Sequence, residues 1–207
     1  MPEPPPDTAG TVLACFYRDN SEVDVLIREV TCRPGQAFAD VPSHCSLIVP
    51  RPDAMVVFPP PGEDFPGWES DWLNDADLYE MVSSGWVKQS PTQRDLYGCV
   101  YEVELPDLPA CRLWCESNRG RYRWWVDALI LVLDRNWIRH SRVPALLKRW
   151  HVAVRHICSV DAEKALTAGG WNSPHWLAEQ ICPLSPNDLL FAVRSVDKPL
   201  IVKAETV

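Results

Sequence analysis

The sequence predicts an α+β fold with strands first and helices later. Three observations carry this. Short β-type runs fill the first half; the apolar period lengthens to helical spacing after Leu108; and no internal repeat or second domain is visible in the 207 residues. That length suits one compact domain, read as residues 11–207, preceded by a Pro-rich flexible arm over residues 1–10, whose four prolines disfavour regular structure.

Taken in order, Thr11–Tyr17 is a β-type run, and Val23–Val30 reads as a second because Val23, Val25 and Ile27 alternate with charged residues. Ser43–Val49 follows, then the turn Pro50-Arg51-Pro52-Asp53 and a further run, Ala54–Phe58, so a hairpin is the simplest expectation. Residues 59–67 hold four prolines and two glycines and read as loop. Trp68–Trp86 is acidic and irregular, with room for one short helix, and Tyr97–Leu105 alternates up to Pro106 as a strand.

Helical signals dominate afterwards. Leu108–Asn118 reads as a helix start, and Arg121–Trp137 places Tyr122, Val126, Leu129, Ile130, Leu133 and Trp137 on one wide apolar stripe. Trp150–Ile157 is apolar and leads into a helix over Cys158–Ala168, stopped by Gly169-Gly170. Ser185-Pro186-Asn187-Asp188 carries turn chemistry and precedes an apolar run, Leu189–Val193, read as a strand.

Charge and composition narrow the function. The net charge of −8 argues against a general nucleic-acid binder. That average conceals an acidic segment, with eight acids and no Lys or Arg from Asp53 to Glu80, and a basic one, with ten Lys/Arg against three acids from Arg112 to Arg155. The start lacks the basic and apolar regions of a secretory signal, and the longest apolar stretch is too short to span a bilayer, so a cytoplasmic protein with mostly free thiols is expected. Cys111 and Cys115 are spaced for one helix face, but no second pair completes a metal site; no metal or cofactor is expected. The tryptophans at 124, 125, 137 and 150, interleaved with arginines, read as packing between helix and sheet.

Cys158 is the distinguished thiol. In the first turn of a helix it meets the positive end of the dipole and unpaired N–H groups, which favour thiolate and can hold a developing oxyanion. The base it needs has five candidates: His44, His140, His151, His156 and His175. His44 opens an apolar β-run, a rigid platform, whereas His156 sits two residues from Cys158 and points elsewhere on a helix.

Four segments add a resemblance. Ser43-His44-Cys45-Ser46-Leu47-Ile48-Val49 with Met55–Pro59, Val100–Leu105 with Arg119–Trp124, Ile157–Gly169, and Leu184–Leu190 occur in the order of the circularly permuted NlpC/P60 papain-like hydrolases, His before Cys. Together they span roughly Val23 to Val193. The resemblance implies a papain-like antiparallel sheet packed against helices, with Cys158 as nucleophile and His44 as base. It implies a cysteine peptidase or amidase, whose substrate would be a peptide or amide such as peptidoglycan of the bacterial cell wall. The family also includes phage-tail proteins and lipid-directed thiol acyltransferases. It places a third polar residue, often Glu, at the end of the strand after the His strand. Here that place is read as Phe58-Pro59-Pro60, with Glu63 or Asp64 the acids nearest to it in sequence. The alternative is therefore a catalytically silent structural or interaction module, such as a virion component, docking through the acidic 53–80 segment.

Overall fold

The computed structural model describes residues 9–18, 21–52, 54, 74–82, 85–92, 99–118, 158–174, 184–196 and 199–200. They form an α+β arrangement whose strands are β1 (Gly10–Tyr17), β2 (His44–Pro50), β3 (Ala76–Val82), β4 (Gly85–Gln89), β5 (Cys99–Leu105) and β6 (Pro199–Leu200). Every pairing is antiparallel, in the order β4-β3-β2-β1-β5-β6. The helices are α1 (Glu22–Thr31), α2 (Leu108–Ser117), α3 (Cys158–Ala168) and α4 (Pro186–Val196).

Alternation along the strands sorts the sheet into two faces. Val12, Ala14 and Phe16 of β1, Cys45, Leu47 and Val49 of β2, and Tyr101, Val103 and Leu105 of β5 join the main core with Cys158, Ala162, Ala165 and Leu166 of α3. The intervening Leu13, Cys15, Ile48, Ala76, Leu78 and Val100 form a smaller buried cluster. Cys111 and Cys115 are both buried in the main core, where one thiol hydrogen-bonds the other.

Helix ends are set by local chemistry. Asp107 caps α2 by accepting from the Ala110 N–H at 2.9 Å. At the other end of α3, Gly170 takes φ +86°, the Trp171 N–H reaches the Leu166 carbonyl and the Gly170 N–H reaches that of Thr167. This is a Schellman ending, and it needs glycine. Gly169 cannot carry a side chain either: a Cβ there would lie 2.8 Å from Leu105 Cδ1 and 2.9 Å from Cys111 Cβ. Its carbonyl accepts from the Asp107 N–H at 3.0 Å, tying the end of α3 to the corner between β5 and α2.

Three expectations are corrected. Val23–Val30 is not a strand but most of α1: Ser21 caps it by accepting from the Asp24 N–H, and Ile27 and Thr31, one turn apart, are both buried. Val23, Ile27 and Val30 also have helical spacing, so alternation was the weaker of two overlapping signals. Leu189–Val193 lies inside α4. Ser185 accepts from the Asp188 N–H and Asp188 accepts in return from the Ser185 N–H, both at 3.1 Å, a capping box that starts a helix. β2 has β1 on one edge and β3 on the other; the expected run Ala54–Phe58 lies, from residue 55 on, outside the described residues. The strand beside β2 is β3, from within the segment read as irregular, and β4 follows it directly. The expected helix over Arg121–Trp137, the apolar run Trp150–Ile157, the four interleaved tryptophans and residues 1–8 of the arm also fall outside the described residues, while Gly10 already belongs to β1.

Asp77 of β3, 2 % exposed, anchors the main-core side. Arg112 donates to it at 2.9 Å, Lys88 at 2.8 Å and Arg51 at 3.1 Å. Burial alone would raise its pKa, but these three donors hold the carboxyl below the usual range. Arg112 is itself buried and also donates to the Val49 carbonyl, so it clamps α2 across β2 and β3. Asp77→Ala strands that guanidinium and is expected to cost about 3–5 kcal/mol in denaturant unfolding. Arg51→Ala, whose side chain is half exposed, should cost less than about 1 kcal/mol. Because the folded carboxyl titrates below its unfolded value, the Asp77 contribution is present above the unfolded pKa and is lost as pH falls through the folded one.

Candidate active site

His44 is the first residue of β2 and lies opposite Tyr17, the last residue of β1. Two residues on, Ser46 lies opposite Glu80 of β3, and next to Glu80 the β4 strand brings Gln89 opposite Leu78. Four adjacent strands thus each deliver one polar side chain to the same end of the sheet. Glu80 Oε2 is 3.8 Å from His44 Nε2 and accepts from the Tyr17 hydroxyl at 2.8 Å, while Oε1 accepts from Gln89 Nε2 at 2.6 Å. The Tyr17 ring meets the imidazole edge to face at 5.0 Å between centroids. Glu80 therefore has both oxygens occupied, and Tyr17 restrains the imidazole by its ring and Glu80 by its hydroxyl.

Cys158 arrives from the other layer, at the start of α3 and 3 % exposed. Ser159, next to it, donates from Oγ to the Leu184 carbonyl, which joins the first turn of α3 to the segment entering α4. The structure brings Cys158 and His44 into hydrogen-bond contact, and Cys45 contacts the same sulfur through both its thiol and its backbone N–H. His156 and His175 lie outside the described residues, as do His140 and His151.

The electrostatics follow from these contacts. Hydrogen bonding from Cys45 and the charge and hydrogen bond of His44 hold the Cys158 thiol well below its ordinary pKa, against burial, which opposes ionisation. For His44 burial disfavours the cation, but the Cys158 thiolate and Glu80 override it and push the imidazole up to about 10. His44 in turn holds Glu80 below the usual carboxylate range, despite partial burial and with help from Tyr17 and Gln89. Burial, then Glu80, drive Tyr17 far up, so its hydroxyl remains a neutral donor. Burial and the neighbouring Cys158 charge raise Cys45, which stays a thiol. The arrangement is a thiolate–imidazolium pair backed by a carboxylate, the charge state required of an activated sulfur nucleophile.

Sequence reasoning missed Glu80. The sequence puts Phe58-Pro59-Pro60 at the place of the third polar residue, with Glu63 and Asp64 the nearest acids; these residues lie outside the described ones, and the acid beside His44 comes from β3. Two residues of the segment read as a docking surface are turned to other uses, Asp77 in the cluster with Arg112 and Glu80 beside His44. Among the described residues no group of three or more His, Cys, Asp or Glu side chains is placed to hold a metal ion. No helix among them is long and apolar enough to cross a membrane. Comparison with protein-family models, curated proteins and solved structures finds no match to this chain.

The two shifts bound a pH window. The thiolate persists below the ordinary thiol range, and the imidazolium persists until pH rises through about 10. Alkylation of Cys158 by iodoacetamide should therefore be nearly constant from mildly acidic to mildly alkaline pH, and faster than at the other cysteines. An ordinary thiol would instead gain about tenfold per pH unit up to about 8.5, and His44→Ala should shift Cys158 toward that behaviour.

Proposed function

We propose that the chain is a cysteine hydrolase of amide or peptide bonds, built as a papain-like domain of the permuted NlpC/P60 type. The observation that carries this reading is the continuous contact from Cys158 through His44 to Glu80, with the thiol lowered and the imidazole raised. A histidine packed in a core for structural reasons has no need of a sulfur anion on one side and a fully hydrogen-bonded carboxylate on the other.

In this mechanism the Cys158 thiolate attacks the substrate carbonyl carbon. The oxyanion that forms is held by N–H groups at the start of α3. His44 passes its proton to the departing amine as the C–N bond breaks, leaving an acyl group on Cys158. The neutral imidazole then takes a proton from water, the resulting hydroxide attacks the thioester, and the acid leaves as the thiolate is restored. Glu80 touches neither substrate nor sulfur; it fixes the ring orientation and stabilises the imidazolium, while Tyr17 and Gln89 hold Glu80.

Cell-wall peptides are the substrate class this reading favours. A silent structural module was motivated by the want of a polar residue behind His44, and Glu80 supplies one. Turnover of muropeptides, compared with acyl esters to detect lipid-type acyl transfer, tests the reading. Cys158→Ala should abolish turnover, and Glu80→Gln should reduce it by a factor about a hundredfold smaller. Turnover of both substrates unchanged in Cys158→Ala would overturn the assignment.

A further inference from the structure

Hydrolysis uses one sulfur, yet the site holds two. Cys45 follows His44 in β2, is 1 % exposed, and faces the main core together with Cys158. Its thiol hydrogen-bonds the Cys158 sulfur, and both cysteines are reduced. We propose that Cys158 and Cys45 form an oxidative modification site, at which a peroxide converts the pair to a reversible intramolecular disulfide. This goes beyond the hydrolase reading and does not rest on it, since it needs only the contact between the two sulfurs and the neighbouring His44.

The chemistry assigns the two cysteines different parts. Peroxides react with thiolates and only slowly with thiols. Cys158 is the sulfur in hydrogen-bond contact with His44 at a helix start, and the His44 side chain is 20 % exposed. The Cys158 sulfur attacks one peroxide oxygen and the O–O bond breaks. The departing hydroxide takes the His44 proton and leaves as water, and Cys158 becomes a sulfenic acid. The Cys45 sulfur then attacks the Cys158 sulfur, forming the S–S bond and breaking S–O. Hydroxide leaves with the Cys45 proton as a second water. Two sulfurs are oxidised by one electron each, and the peroxide accepts both electrons. Reduction by two equivalents of a small thiol restores the pair.

Cys45 competes with overoxidation. A sulfenic acid without a neighbouring thiol proceeds to sulfinic acid, which small thiols do not reverse. With a thiol already in hydrogen-bond contact, disulfide closure precedes that second oxidation. Cys111 and Cys115 also touch each other, but Cys115 is pushed up by its hydrogen bond with Cys111 and by burial, so that pair lacks the reactive anion at Cys115.

The test is peptide mapping of the full chain after limited hydrogen peroxide and alkylation of the remaining thiols. The expected product is a Cys45–Cys158 cross-linked peptide lighter by two hydrogens, absent after dithiothreitol. In Cys45→Ser or Cys45→Ala, Cys158 should instead be trapped by dimedone or gain two oxygens, several-fold more than in the unmodified protein. The map of the unmodified protein decides by itself should both variants misfold. Accumulation of sulfinic acid at Cys158 without the cross-link, a disulfide joining either residue to another cysteine, Cys182 included, or no oxidation of Cys158 would each overturn the proposal.

Discussion

A negative sulfur kept out of water is the constraint around which the described structure is organised. Burial alone would protonate Cys158. Keeping it ionised requires a cation, a hydrogen-bond donor and a helix N-terminus at one point, and these come from distant parts of the sequence. β2 supplies His44 and Cys45 as neighbours, α3 supplies the dipole, and β3 supplies the carboxylate that keeps the imidazole charged. The four-strand register from β1 to β4 is then a requirement of the site as well as of the sheet. A slip of one residue in β3 would turn Glu80 to the opposite face.

Much of this was legible in the sequence, and the failures have physical causes. The span Cys158–Ala168 was readable as a helix because a double glycine ends it and an apolar run precedes it. Strands β1 and β2 were readable as short runs rich in apolar β-formers, and β5 because it alternates. Glu80 was not, because Asp77-Leu78-Tyr79-Glu80-Met81 puts charges on both faces of a strand, which breaks the apolar/polar alternation. Both acids are engaged only after folding, Asp77 by Arg112 and Glu80 by Tyr17 and Gln89. One signal was available: Ser83-Ser84-Gly85 between Met81-Val82 and Trp86-Val87 is hairpin chemistry.

Cys45 was unreadable for a different reason. A cysteine in an apolar strand behaves in sequence as a small hydrophobe, and only the placement of α3 over β2 makes it the neighbour of a thiolate. The same contact serves two ends. In the reduced protein the Cys45 thiol donates to the Cys158 anion, and in the proposed oxidation it is the contacting sulfur that closes on it.

The bond from Ser159 to the Leu184 carbonyl bears on how the molecule comes to be. His44, Cys158 and Leu184 are widely separated along the chain, and the last of them steadies the turn that carries the sulfur. Loop closures this long are slow and come after local helices have formed. During synthesis, the sheet end bearing His44 emerges well before the helix it must charge, so the thiol remains an ordinary one while the chain is growing. On the proposed mechanism, the sulfur becomes a nucleophile only with that long-range docking, an order that spares the half-made protein a reactive thiolate.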